Sequence, residues 1–163
     1  MIKYNISISQ ASYIQKNFIG WSFDKPNDYI PDKKIFSQLN HSAELHYLAN
    51  LYNWDDGSIV LEWLLDSPLC TRSTANLLFW RAAPDWYLRF SIHDLEACPK
   101  FNRDGFIILR KIINKYERND FSKYQIEFDP TDEIEEIMNT EPKWIYPSGV
   151  YDKIEGDIVL CEK

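Results

Sequence analysis

From Asp32 to Tyr52 the apolar positions Ile35, Leu39, Ala43, Leu48, Leu51 and Tyr52 recur mostly at three- and four-residue steps. That period puts one face of a helix inward. Asp32, just after Pro31, supplies an N-cap oxygen at its start. Asn53-Trp54-Asp55-Asp56-Gly57 then interrupts the pattern. Gly57 suits a corner that needs positive φ, and Asp55, Asp56 or Ser58 can accept bonds from the next helix's free N–H groups. Residues Ser58 to Asp66 are apolar almost all round, which predicts a helix covered on most sides, ended by Ser67-Pro68. A third helix is expected from Thr71 or Ser73 to Arg81, with Ala75, Leu78, Phe79 and Ala82 inward.

Pro84 breaks the chain again. A short helix is expected over Ser91 to Ala97, and a stronger one over Asp104 to Glu117, whose Phe106, Leu109, Ile112, Ile113 and Tyr116 form a stripe. The alternation of the first nine residues predicts a strand, residues Trp21 to Pro31 a loop, and Tyr124 to Phe128 another short strand. Asp129-Pro130-Thr131 reads as the cap of an acidic helix over Asp132 to Asn139, with Ile134, Ile137 and Met138 inward. The run DIVLCEK at the C-terminal end reads as a hairpin or edge strand. The expected class is mainly α (α+β): a compact bundle of antiparallel helices with short strands near both termini, in a single domain over residues 1–163.

Composition narrows the function classes. With 15% aromatic and 45% hydrophobic residues the chain has ample material for a core and does not read as disordered. No apolar run reaches the roughly 20 residues of a membrane span, and the first residues lack the apolar stretch of a signal peptide. Three cysteines without a C-x-x-C pair fit reduced thiols. A cytoplasmic protein is the expectation.

The net charge of −7 is local. Between Glu117 and Glu141 nine carboxylates face Arg118 and Lys123, a difference of seven, and the remainder is balanced at 16 to 16. Nucleic-acid binding is disfavoured because no basic run exists to neutralise phosphates. A basic protein partner suits such a field, as does a plain solubilising surface.

The Asp-Asp-Gly element fails as a calcium loop: counted from Asn53, its sixth position is Ser58 and its twelfth Leu64. Its reading as a helix corner outweighs catalysis or partner binding. His41 and His46 are five apart, off the spacing that places two ligands on one helical face. Nucleophile-elbow and phosphate-loop motifs are missing from the sequence, and only Cys70 with His93 offers a conceivable nucleophile and base. No metal or other cofactor is expected.

Tyr-Asn-Trp-Asp-Asp-Gly at Tyr52 to Gly57, the C-x-x-x-T-A-x-x-x-F-W run from Cys70 to Trp80, and Phe-Asp-Pro at Phe128 to Pro130 carry a resemblance. Together they resemble a bacterial domain-of-unknown-function family over roughly Leu45 to Pro130, with Asn76 where that pattern has an apolar residue. The resemblance implies a compact, mainly helical domain of small cytosolic proteins, some of which look like immunity proteins encoded beside secreted toxins. It implies no catalytic residues. The leading expectation is therefore an immunity protein that binds and neutralises a cognate toxin, with a basic active-site face, through an acidic surface. Its expected contacts are Asp129, Asp132, Glu133, Glu135 and Glu136, with Trp144 and Tyr146 as exposed anchors. Alternatives are another protein-binding regulatory role, or an enzyme using Cys70 or a carboxylate pair.

Overall fold

A computed structural model describes residues 2–134 and 141–162. The chain opens with strand β1, Lys3–Ile6, and turns at once into helix α1, Ile8–Phe18. Ser7 starts α1 through a reciprocal cap: its hydroxyl accepts from Gln10 N–H, and the Gln10 carboxamide accepts from Ser7 N–H. Two single-turn helices follow, α2 at Trp21–Asp24 and α3 at Lys33–Phe36. Helix α4 spans Ser42–Leu51.

The one helix expected from Asp32 to Tyr52 is thus two. Asp32 does cap α3, but His41 restarts the chain, accepting from Ala43 N–H while Glu44 accepts from His41 N–H. A second capping box in mid-pattern outcompetes continuation of the helix. Leu51, expected inward, is exposed at the end of α4.

Helices α5 at Ile59–Asp66, α6 at Arg72–Arg81 and α8 at Arg103–Arg118 fall within a residue or two of where the periodicity puts them. Between α6 and α8 lies the short α7, Pro84–Tyr87. The short helix expected over Ser91 to Ala97 shrinks to a 3₁₀ turn, Leu95–Ala97. Helix α6 is the central element: every residue from Ser73 to Trp80 is buried, and it packs against α4, α7 and α8. The fold is mainly α, and the core is built from α4, α5, α6 and α8 around Leu48, Leu61, Leu78, Phe79, Phe106 and Leu109. Among the described residues no helix is long and apolar enough to cross a membrane.

The C-terminal part is strapped across α6 by polar side chains. Ser73 Oγ donates to Ile126 O at 2.6 Å, Asn76 Nδ2 to Gly149 O at 2.9 Å, and Trp80 Nε1 to Val150 O at 2.9 Å. Tyr116 of α8 donates to the Asn76 carboxamide oxygen, so both ends of that buried amide are matched. Asn76 is polar because it binds a backbone that passes over it.

Strand β2, Ile158–Cys161, runs parallel to β1, with Lys3 opposite Ile158 and Ile6 opposite Cys161. The strand expected over Tyr124 to Phe128 is reduced to single bridges, Ile126 to Asp157 and Phe128 to Ile154. Gly156 allows that approach. A Cβ there would stand 2.7 Å from Ile126 N and closer still to the Gln125 carbonyl. Because backbone is the obstacle, no rotamer change relieves it. We expect Gly156→Ala to cost about 2–3 kcal/mol by urea titration, with the Glu127 and Asp157 amides losing exchange protection; a neutral substitution would mean the two segments are not in contact.

Candidate functional site

The Asn53–Gly57 corner is a scaffold. Trp54–Asp56 form a 3₁₀ turn capped by Asn53, whose side chain accepts from Asp55 N–H, and Gly57 holds φ at 82°. The expected capping of α5 by Asp55, Asp56 or Ser58 does not occur. Asp56 is buried and turns to the N-terminal segment, accepting from Ser22 N–H at 3.1 Å and Ser22 Oγ at 2.6 Å. Ser58 Oγ donates to Glu62, one turn into its own helix. The corner therefore clamps α2 instead of charging the start of α5.

Cys70 is fully buried, its thiol beside the Thr71 carbonyl, and burial pushes its pKa up to about 12. A thiol so held is not a nucleophile at neutral pH. His93 is exposed on a loop and brings no base to it. Among the described residues, no cluster of three or more His, Cys, Asp or Glu side chains is placed to hold a metal ion.

The described acidic residues do converge. Asp129, Asp132 and Glu133 line one cleft of about 320 Å³, together with Glu127 and Phe128, residues of α4 and α6, and Ile158 and Val159 of β2. His46 and Asn50 lie one helical turn apart on α4 and face the cleft together. Leu77 and Arg81 do the same from α6.

Arg81 organises the wall. Its guanidinium donates to the Asn50 carbonyl at 2.7 Å, satisfying a free carbonyl at the end of α4, and to Asn50 Oδ1 at 3.0 Å. From Nε and Nη2 it grips the Glu133 carboxylate at 3.2 and 2.9 Å. This bidentate pairing fixes Glu133 against α6. His46 stands behind it, with Nδ1 3.0 Å from Thr74 Oγ1, which in turn lies 2.9 Å from Thr71 Oγ1. Burial and the nearby Arg81 charge lower the His46 pKa to about 4. The imidazole is neutral near pH 7.

Asp129 caps the 3₁₀ turn Pro130–Asp132, accepting from Thr131 N–H at 3.0 Å and Thr131 Oγ1 at 2.6 Å, and meets Lys153 at 2.9 Å. The Thr131 hydroxyl and Lys153 hold its carboxyl well below the usual carboxylate range. Asp132 and Glu127 are exposed, and neither forms an ion pair with a described residue. So the cleft carries four carboxylates against one lining guanidinium, two of them committed internally and two turned outward.

Two expected features change. Only the 3₁₀ turn stands where the acidic helix should begin, and Ile134 is exposed; Glu135 and Glu136 lie outside the described residues, as do Ile137 and Met138. Trp144 is not an exposed anchor. It is buried, donating from Nε1 to Tyr87 O at 3.0 Å and packed with Phe79 and Tyr146. Tyr146 is half-buried in the same aromatic group. The exposed side chain of that segment is Ile145, because alternate residues of an extended chain face opposite ways.

Glu127, His46 and Arg81 do not stand out in the sequence as parts of one site. Glu127 is only one of nine carboxylates in its stretch, and a histidine and an arginine on separate helices announce nothing until the fold joins them.

Residues 40–117 match the model of a family described as Domain of unknown function (DUF4274). No curated protein and no solved structure matches the chain. The matched stretch holds the Asn53–Gly57 corner and α4 to nearly the end of α8. The acidic side of the cleft and both strands come from outside it.

Proposed function

We propose that this chain is a cytosolic immunity protein that neutralises a cognate toxin domain through the acidic cleft. The observation that supports it is the gathering of Glu127, Asp129, Asp132 and Glu133 on one rim, with Glu127 and Asp132 exposed and in no ion pair among the described residues. Carboxylates so placed meet the lysines and arginines of a toxin's active-site face, and the field steers the encounter. The buried thiol at Cys70 and the internal clamp at Asp56 leave those two groups to the scaffold.

The test starts from the neighbouring gene: an upstream secreted protein with a variable C-terminal toxic domain supplies the partner. Co-purification with that domain is expected, weakening as salt rises. Reversal of the two solvent-facing charges, Glu127→Lys with Asp132→Lys, should slow association about tenfold at low salt while leaving dissociation little changed. An unchanged association rate removes the acidic cleft from the binding surface, and failure to form a complex at any salt removes the immunity reading.

A further inference from the structure

The hydrogen bonds of β2 alternate between its two edges. Ile158 N–H donates to Ile2 O at 3.0 Å and Glu162 N–H to Ile6 O at 2.9 Å, so positions 158, 160 and 162 face β1. Positions 157, 159 and 161 face the other way. At Asp157 that outer edge is taken: its N–H donates to Gln125 O and its carbonyl accepts from Glu127 N–H, both at 3.0 Å. The segment then leaves. Phe128 turns to Ile154, with paired bonds of 2.9 and 2.8 Å, and the ladder stops after one rung.

Val159 and Cys161 are left with outward N–H and C=O groups that have no backbone partner among the described residues. Val159 lines the acidic cleft. An unpaired edge is a template for another extended chain. We infer that the outer edge of β2 takes an extended, lysine- or arginine-bearing segment of a partner protein as an added strand, an inference that rests on the acidic-cleft reading. The strand would take over the ladder where Glu127 leaves it. Its alternate side chains, about 7 Å apart on one face, would pass the rim of Glu127, Asp129, Asp132 and Glu133. The charge selects the occupant: Glu127 and Asp132, the two cleft carboxylates not paired with Arg81 or Lys153, favour cations on that face. The opposite edge of the pair, on β1, begins with Lys3, whose charge would repel such a segment.

The probe is a blocked peptide of four Lys-Val repeats, titrated into ¹⁵N-labelled protein beside a copy N-methylated on alternate residues, which keeps the charge and loses the donors. With the unmethylated peptide, the Val159 and Cys161 amides should gain at least about tenfold protection from solvent exchange. The methylated copy should bind at least about tenfold more weakly, and Val159→Pro should weaken the unmodified peptide similarly, because it removes one donor of the edge. Equal affinity of the two peptides, or unprotected amides at Val159 and Cys161 in the bound state, overturns the inference; so does absence of binding at millimolar peptide. Asp132→Lys separates the two readings. If it leaves protection and affinity unchanged, the added strand stands and the acidic cleft falls as its selector; if binding persists and depends on Asp132 while the edge amides stay unprotected, the reverse holds.

Discussion

Trp80→Ala is expected to lower stability by about 4–5 kcal/mol, near the upper end for a buried aromatic. Two losses combine. The indole is 4% exposed and forms edge contacts with Phe79, Tyr146 and Tyr151 at ring separations of 5.2, 5.8 and 5.2 Å. Its Nε1–H also holds the carbonyl of Val150, a fully buried residue, so truncation opens a cavity and strips a buried acceptor of its donor. For a chain of this size the midpoint of thermal unfolding should fall by about 10–15 °C. Trp80→Phe separates the contributions: it keeps most of the packing and should cost about 1–2 kcal/mol, mainly the lost bond. If the alanine variant cost less than about 1.5 kcal/mol, the C-terminal segment would not be strapped to α6 by this side chain.

The second large effect is on pH dependence. The His46 pKa is lowered from 6.5 to about 4 by burial and by Arg81. Between those values the unfolded chain holds a proton that the folded chain refuses, so stability rises with pH across the window. The contribution is complete above pH 6.5 and is lost as pH falls toward 4. For a half-buried imidazole its size is about 2–3 kcal/mol. His46→Asn keeps a hydrogen-bonding group, donor or acceptor, for the Thr74 hydroxyl and cannot titrate. Urea midpoints followed by tryptophan fluorescence at several pH values should show the wild-type slope between pH 4 and 6.5 shrink in the variant; parallel slopes would mean that His46 protonates freely in the fold. Asp129 acts in a lower window, since its depressed carboxyl loses its partners only as pH falls below the usual carboxylate range.

How much of the structure is legible in the sequence follows the range of the interactions concerned. Helices α5, α6 and α8 can be read to within a residue or two because their signals are local: Thr71 as cap, Ser67-Pro68 as stop, and a stripe through Phe106, Leu109 and Ile112. Helix α1 has an equally local signal, the Ser7–Gln10 capping box, but the alternation running into it hides that box inside an expected strand. The break before α4 depends on histidine as a cap, an unusual residue for that place. The parallel pairing of β1 with β2 joins Lys3 to Ile158, far apart in sequence, and alternation alone cannot choose that register. The acidic positions of the cleft are visible as a charge imbalance. Their commitments are not, since the Arg81 clamp on Glu133 and the Lys153 contact with Asp129 require the fold to deliver each cation.

Because β1 and β2 lie side by side and run the same way, their outer ends point in opposite directions along the pair. Tension applied ahead of Lys3 and beyond Cys161 therefore acts along the strands and loads every rung together, whereas a hairpin pulled by its ends would unzip in sequence. Force applied across the pair in that direction meets the small sheet as a unit, and its rungs must shear together.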